Sequence, residues 1–151
     1  MRSGAAASAI LAGMSEQWSE KDIELANRLF DMARDGDTAQ LKAYLDAGIS
    51  TRLRNHAGDS FLTLAAYHEH PDTVAMLIAA GAEIEHANDR GQRPLTCATF
   101  KRDVASMRHL LAAGADPDAG TPSARQTAQM FAGDDLLAVL DGGDAAPSSE
   151  V

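Results

Sequence analysis

The sequence has few of the features that would tie it to an oxidising compartment, to nucleic acid or to a membrane. Its one cysteine, Cys97, cannot form an intramolecular disulfide, so nothing requires an oxidising compartment. Its 22 aspartates and glutamates outnumber 13 lysines and arginines, and the net charge of −9 argues against nucleic acid and anionic membranes as partners. No apolar run approaches the roughly 18 residues of a membrane span. These absences favour a cytoplasmic protein, and the alanine-rich, acidic composition suggests a bacterial one.

Aromatic residues are also scarce, at 5% of the chain, although 45% of the residues are hydrophobic. Alanine and leucine carry most of the apolar character, which suits close packing of helices. A chain of 151 residues has the length of one domain. The composition therefore allows one domain with a packed core.

The two ends of the chain differ in composition from its middle. Residues 1–18 are mostly small and weakly apolar, and we predict a disordered leader there; the stretch after Arg2 resembles a signal peptide only faintly. Residues 141–151 are predicted to be a disordered tail. The last three residues, with the sequence Ser-Glu-Val, match a C-terminal ligand of the PDZ type, but three residues often match by chance.

The middle of the chain repeats itself at a constant interval. Gly48, Gly81 and Gly114 each follow an alanine and are spaced by 33, and Gly58 and Gly91 keep the same spacing. Self-similarity at a fixed period of about 20–50 residues is typical of arrays of small stacked units. Such arrays usually bind other molecules rather than catalyse reactions.

One unit, residues 53–85, illustrates the local signals. Asn55 and Gly58 predict a turn, because Asn tolerates left-handed backbone and Gly adopts it freely. A short apolar helix follows and is broken before Pro71, since proline is tolerated in the first turn of a helix but not in its interior. A second helix then begins near Pro71 and ends at Gly81, a C-terminal glycine cap. Helices this short are unstable alone, so the units must stack.

The second helix of each unit carries an apolar stripe at positions i, i+3 and i+4. The final stripe begins earlier than the repeat interval requires, since Leu136 follows Met107 by 29 positions instead of 33, which indicates a deletion of four in the last unit. Thr121-Pro122 resembles a helix cap followed by a first-turn proline, so we place this loss in the preceding loop. The four stripes are Leu41, Tyr44 and Leu45; Val74, Leu77 and Ile78; Met107, Leu110 and Leu111; and Leu136, Val139 and Leu140.

The units resemble ankyrin repeats, which have a glycine-containing turn, a T-P-L-H-x-A-A helix start, a G-H break, an apolar second helix and a G-A-D ending. Residues 58–66 (Gly-Asp-Ser-Phe-Leu-Thr-Leu-Ala-Ala) and 91–98 (Gly-Gln-Arg-Pro-Leu-Thr-Cys-Ala) are two copies of the helix start. Residues 81–83 (Gly-Ala-Glu) and 114–116 (Gly-Ala-Asp) match the ending. The resemblance covers about residues 24–140 and implies an all-α solenoid of stacked helix-turn-helix units with short finger loops.

The resemblance places an ankyrin-repeat domain at residues 19–140. The first repeat lacks a finger and begins with a helix capped by Ser19, with Asp22 three residues on, and the last repeat is truncated. Terminal units of this kind are expected, because they must present a polar face to water. The four predicted repeats are 19–52, 53–85, 86–118 and 119–140.

The chain departs from the family pattern at two places in each central repeat. Thr63 and Thr96 stand where the family has the histidine of T-P-L-H, so the hydrogen bonds of that histidine must be replaced or reduced. Glu69 and Arg102 stand where the break has glycine. If the backbone there is left-handed, each non-glycine residue costs about 1 kcal/mol.

In ankyrin-like arrays the finger tips and the exposed face of the first helices grip a partner. The resemblance therefore implies a protein–protein interaction module that acts as a scaffold, an inhibitor or an accessory factor. Tyr67 and Phe100 are the sharpest candidates, because they are separated by one repeat interval and exposed aromatics are favoured interface anchors; the alternative is that both rings pack between repeats. The candidate strip is more basic than the whole chain, which favours a partner with acidic and apolar groups. The candidate partner-binding residues are Arg34, Asp35, His56, Asp59, Tyr67, His68, Asp89, Arg90, Gln92, Phe100 and Lys101.

Two other classes of function stay open. A metal protein or a small regulatory enzyme would use the histidines around His68-Glu69-His70, but positions i and i+2 of a helix point to different sides, and we expect no metal or cofactor. Cys97 stands where the family has a buried leucine, so no catalytic thiol and no enzymatic activity are expected. The second alternative is a self-associating module, in which the two aromatic rings pack on a second copy; it would be a homodimer rather than the monomer that we expect.

Overall fold

The computed structural model of the protein describes residues 19–142, and within that range it contains eight α-helices and no β-strand. The predicted all-α class is therefore confirmed. The predicted leader and nearly all of the predicted tail lie outside the described residues. In chain order the helices are α1 Glu20–Asp35, α2 Thr38–Asp46, α3 Phe61–Tyr67, α4 Pro71–Ala79, α5 Pro94–Phe100, α6 Val104–Ala112, α7 Ala124–Met130 and α8 Asp134–Leu140.

The helices form four consecutive pairs, and each pair packs on the next. The first helices of the pairs, α1, α3, α5 and α7, contact one another in that order. The second helices, α2, α4, α6 and α8, form a parallel row behind them, and both rows share one hydrophobic core. Because a helix of seven or nine residues cannot persist alone in water, this shared core is what holds the short helices in place.

The predicted apolar stripes of the second helices lie in this core. Leu41, Leu77, Leu110 and Leu136 are fully buried, and Met107 is buried beside them. The outer residues of the stripes are half-buried and pack against the core. Burial of one such side chain contributes about 1.5–3 kcal/mol, so a stripe in every repeat accounts for the cohesion of the stack.

The first helix begins where its capping signal predicts. The Ser19 side chain accepts a hydrogen bond from the backbone N–H of Asp22 at 3.2 Å, and the Asp22 carboxylate accepts one from the Ser19 N–H at 2.8 Å. This reciprocal pair satisfies two backbone donors that the start of a helix leaves without partners. Asp22 is buried by the arrangement.

The two helices of each pair are separated by a residue with positive φ. Glu69 and Arg102 do have left-handed backbone, and Ala132 is a third non-glycine residue in this region. For residues with a Cβ this conformation is unfavourable by about 1–2 kcal/mol. In chain order the four residues are Gly36 (77°), Glu69 (65°), Arg102 (59°) and Ala132 (51°).

Only the first of these four breaks has a glycine, and its neighbour explains why. The imidazole of His70 packs directly over Gly36, where a Cβ would collide with the ring, and its Nε2 donates to the carbonyl oxygen of Arg34 at 2.8 Å. Asp103 and Gly133 occupy the place of His70 in the following repeats and are smaller. Side chains are therefore tolerated at the later breaks.

The missing family histidine of the second repeat is replaced by a local hydroxyl pair. Ser60 caps α3, where its Oγ accepts from the backbone N–H of Thr63 and donates to the Thr63 Oγ1, both at 3.1 Å. Both side chains are buried. The hydrogen bonds of the family histidine are thus replaced, at the start of α3, by those between Ser60 and Thr63.

The predicted start of the first helix in the last repeat, at Thr121-Pro122, is wrong. Helix α7 begins at Ala124 and is capped by Ser123, whereas Thr121 and Pro122 precede the helix. Ser123 forms a capping box with Gln126, three residues on, with hydrogen bonds of 3.1 and 2.9 Å. The residue three positions after Thr121 is an alanine, which cannot close such a box.

The shortening of the last repeat lies in the loop before α7, as predicted. Ser60 and Arg93, the N-caps of α3 and α5, are separated by the full interval of 33, but Ser123 follows Arg93 by only 30. The predicted loss of four residues is corrected to three, because Leu136 lies three residues after the N-cap of α8 and is equivalent to the fully buried Ser106 of α6.

Candidate functional site

A groove of about 300 Å³ runs along the first-helix side of the solenoid, between the finger loops and α3. The fingers 55–59 and 90–92 form one wall, and the inner face of α3 forms the floor. It brings together seven of the eleven predicted partner-binding residues, from three different repeats. The lining residues are Arg34, Asn55, His56, Ala57, Asp59, Thr63, Leu64, Tyr67, His68, Arg90, Gln92 and Cys97.

The four other predicted residues lie outside the groove lining. Asp35 is the exposed last residue of α1. The exposed Asp89 lies against Gly58 of the neighbouring finger, where a Cβ would collide with its carboxylate, and the Asp89 N–H donates to the Ala57 carbonyl oxygen at 3.0 Å. Asp89 therefore links two fingers. The remaining two, Phe100 and Lys101, lie at the end of α5 beside Tyr67.

Three aromatic rings follow one another across the second, third and fourth repeats, and we call Tyr67, Phe100 and Phe131 the aromatic ladder. The rings of Tyr67 and Phe100 are stacked, with centroids 6.3 Å apart and planes inclined by 7°. Phe131 follows at 5.5 Å from Phe100 with a tilt of 58°. Tyr67 is half-buried, whereas Phe100 and Phe131 are 47% and 41% exposed. The three rings therefore contact one another and still leave part of their surface in water.

Phe131 is the functional candidate that sequence reasoning missed. With the shortened loop before α7, the residue equivalent to Phe100 is Met130, which is 65% exposed, and Phe131 follows it. The constant repeat interval no longer identifies these positions. The signal available was the Ser123 cap: a repeat position counted from this cap, and not from the glycines, places Phe131 directly after the end of α7.

Lys101 supports the ladder rather than standing free. Its Nζ lies 5.1 Å from the centroid of the Tyr67 ring and 3.7 Å from a carboxylate oxygen of Glu69. A cation over a tyrosine face is attracted by the ring quadrupole by about 0.5–1 kcal/mol at an exposed site. Lys101 therefore contacts the Tyr67 ring and pairs with Glu69.

The finger residues Asp59 and Gln92 have a structural role that their sequence positions do not reveal. Asn55 and Asn88 stabilise the two finger turns by accepting backbone N–H bonds of 2.9 Å through their side-chain oxygens. Asn88 in turn donates to the Asp59 carboxylate at 2.7 Å and to the Gln92 side-chain oxygen at 2.8 Å. Asp59 thus holds neighbouring fingers together, Gln92 braces its own finger, and both line the groove at the same time.

The two arginines of the groove have different surroundings. Arg34 pairs through Nη1 with the exposed Asp31 at 2.5 Å. Arg90 is exposed on the third finger, and among residues 19–142 its side chain forms no ion pair. Arg90 belongs to the lining of the groove.

His68 is held in its neutral form by its position in the groove. Partial burial lowers the pKa of the imidazole from its ordinary value, and the positive charges of Arg34, His70 and Lys101 lower it further, against an opposite effect of Asp35. The ring also makes an edge contact with Tyr67, with centroids 5.2 Å apart. At neutral pH it therefore adds hydrogen-bonding capacity to the groove rather than charge.

The predicted burial of Cys97 is confirmed. The side chain is only 2% exposed, and burial raises the pKa of its thiol to about 12. A thiol of this kind is almost wholly protonated at neutral pH and is a poor nucleophile. In the part of the chain that the structure describes, no group of three or more histidine, cysteine, aspartate or glutamate side chains is arranged to hold a metal ion.

Comparison with known proteins settles the family. A model of ankyrin repeats in three copies matches residues 29–121, more than half of the chain. The chain belongs to the ankyrin-repeat family. Ankyrin repeats are generally protein–protein interaction modules, and the family is generally non-catalytic.

Several relatives share parts of this repeat domain. A protein of Pseudomonas aeruginosa named as an ankyrin repeat protein is 49% identical over 53 residues, 35% of this chain and 31% of the relative. A Treponema pallidum protein named as ankyrin repeat-containing is 35% identical over 85 residues, 56% of this chain and 28% of the relative. The human ankyrin repeat domain-containing protein 29 is 39% identical over 66 residues, 43% of this chain and 22% of the relative.

The matched parts are less than a third of each of these three relatives. The similarity therefore concerns the repeats and not the whole proteins. Between residues 19 and 142, none of the helices has the length and apolar character needed to span a membrane.

Proposed function

We propose that this chain binds another protein through its concave face and finger loops, as a scaffold, an inhibitor or an accessory factor without chemistry of its own. The observation that carries the proposal is the exposed part of the aromatic ladder. Phe100 stacks on Tyr67, which lines the groove, and Phe131 lies next to Phe100; each of the two phenylalanines leaves more than two fifths of its surface in water. Exposed aromatic rings in contact are favoured anchors of protein interfaces.

The rest of the chain makes this exposure unusual. Among the described residues, the large hydrophobic side chains classed as exposed are Ile23, Phe100, Met130 and Phe131. Three of these four belong to or adjoin the ladder. A cluster of apolar side chains at one place is a sign of an interaction surface, whereas single exposed ones are ordinary.

The proposal extends to the oligomeric state, the localisation and the class of partner. We expect a monomer in the cytoplasm that binds a protein and neither nucleic acid nor a membrane. The net charge of −9 supports the last two points, since phosphate-rich surfaces repel an acidic protein.

Self-association is the second candidate function, and the last repeat gives a specific reason for it. Met130 is 65% exposed and adjoins Phe131, so an apolar patch lies at the end of the stack, where terminal repeats usually present polar groups. Sedimentation velocity across a wide concentration range separates the two candidates. A monomer at all concentrations supports the heterologous partner, and a dimer that dissociates in Met130→Ala/Phe131→Ala supports self-association.

The main proposal is tested by affinity purification from the native host with a matched pair of variants. Phe100→Ala/Phe131→Ala removes the exposed rings, and Arg108→Ala/His109→Ala removes exposed side chains on α6, in the other row of helices. We expect the first variant to lose the partner, the second to retain it, and both to keep the circular dichroism spectrum of the wild type. A partner retained by both folded variants would contradict binding on the concave face.

A further inference from the structure

The groove has a chemical character that differs from that of the whole chain. Its lining holds two guanidinium groups, those of Arg34 and Arg90, and one carboxylate, that of Asp59, in a protein whose net charge is −9. We infer that the groove binds a carboxylate side chain of an acidic peptide segment, while an apolar residue next to that carboxylate packs on the aromatic ladder. This inference rests on the proposed function and specifies the chemistry of the partner.

The single carboxylate of the groove forms no ion pair with either arginine. One oxygen of Asp59 accepts from Asn88 at 2.7 Å, and the other accepts from Asn55 at 3.3 Å, so amide donors of the fingers hold it. Within residues 19–142 Arg90 carries no ion pair, and Arg34 engages one nitrogen with the exposed Asp31. The two guanidinium groups outnumber the one carboxylate, and Arg90 is left to pair with a ligand.

Arginine is suited to the proposed contact. A guanidinium presents five donors in a planar fork that matches the two oxygens of a carboxylate, and such charged bonds are about twice as strong as neutral ones. Arg90 is placed for this contact, because it is an exposed residue of the groove lining and forms no ion pair within residues 19–142. The exposed His56 lies on the neighbouring finger and adds a further donor.

The apolar half of the site is continuous with the basic half. Tyr67 lines the groove and also stacks on Phe100, so a chain that passes along the groove reaches the ladder directly. A carboxylate and an apolar side chain close together in sequence are therefore bound by adjoining surfaces. A nucleic acid fits less well, because two arginines supply little counter-charge for a phosphate backbone and the chain is acidic overall.

The test uses a random peptide library displayed on phage and selected on the wild-type protein, followed by synthesis of the selected peptides. We expect the selected peptides to carry Asp or Glu within a few residues of an aromatic or large aliphatic residue. Exchange of that acid for its amide should weaken binding about tenfold or more, the effect of losing one charged hydrogen-bonded pair. Fluorescence polarisation gives the dissociation constants.

Two charge reversals complete the test. Arg90→Glu should weaken binding of the acidic peptides about tenfold or more. Its matched control is Arg108→Glu, which reverses an exposed arginine on α6 and should leave the affinity unchanged. Circular dichroism shows whether each variant is folded, and Arg90→Ala replaces Arg90→Glu if the reversal perturbs the fold.

The outcomes separate this inference from the function on which it rests. Selected peptides without acidic enrichment, equal affinity for wild type and the Arg90 variants, or a selection that yields no binder would each overturn the inference. If such peptides still lose affinity in Phe100→Ala/Phe131→Ala, the concave binding face stands and only its acidic preference is wrong. If neither the Arg90 variants nor the ladder variant weakens binding, both proposals fail.

Discussion

The ring of Phe100 lies parallel to that of Tyr67, with 6.3 Å between their centroids, and the two side chains belong to consecutive repeats. Tyr67 is covered on one side by the ammonium group of Lys101 and packs against the core. Phe100 remains 47% exposed. The stack therefore does two things: Tyr67 helps to join the repeats, and Phe100 offers its free surface. Phe100 is for this reason the better residue for a binding test.

Truncation of a central stripe should destabilise the whole array. Leu110 is fully buried in α6, so Leu110→Ala should lower the free energy of unfolding by about 2–5 kcal/mol. The half-buried neighbour provides the control, because Leu111→Ala removes the same atoms at the edge of the core and should cost less than about 1.5 kcal/mol. Urea unfolding followed by circular dichroism measures both. Equal losses of unfolding free energy in the two variants would contradict the deeper burial of Leu110.

The left-handed residue at the last break predicts a stabilising glycine. Ala132 has a φ of 51°, which costs a residue with a Cβ about 1–2 kcal/mol, while glycine adds about 0.4–1 kcal/mol of unfolded-state entropy. Ala132→Gly should therefore stabilise the protein by roughly 0.5–1 kcal/mol. The same exchange at the exposed helical Ala138 should destabilise it by about 1 kcal/mol. Melting temperatures that shift in the same direction for both variants would contradict a left-handed backbone at Ala132.

The pKa of His68 predicts how stability changes in mild acid. Because that pKa is lowered from 6.5 in the folded protein, the unfolded chain binds more protons as the pH falls below 6.5. The contribution of His68 to the free energy of unfolding therefore decreases with falling pH. His68→Gln lacks this titration, so wild type should lose stability relative to the variant between about pH 7.5 and 5.5. Urea unfolding of both proteins at the two pH values checks the sign; a relative gain for wild type would contradict it.

The repeat fold was predictable from the sequence because its signals are local. The glycine period, Pro71 at a helix start and the apolar stripes each depend on a few neighbouring residues, and the structure confirms the helices that they predict. The start of α7 was not predicted, since two capping signals compete there and the box formed by Ser123 and Gln126 gives two hydrogen bonds where Thr121 gives none.

The candidate site was predictable only in the repeats that keep the 33-residue spacing, which ends before α7. Tyr67 and Phe100 are related by one full repeat interval and were both identified, whereas Phe131 follows the shortened loop and was missed. Asp59 could not be recognised as a partner of Asn88, because that hydrogen bond depends on the approach of two fingers in space. Periodicity identifies equivalent positions, but not the contacts that each side chain makes.

The most direct test of concave binding is a two-dimensional amide NMR titration of the isotope-labelled wild-type protein with a peptide selected from the random library. We expect the largest chemical-shift changes at Arg34, at the fingers 55–59 and 90–92, and around Tyr67 and Phe100. Changes concentrated on α2, α4 and α6, with the groove and the aromatic ladder unaffected, would contradict the account.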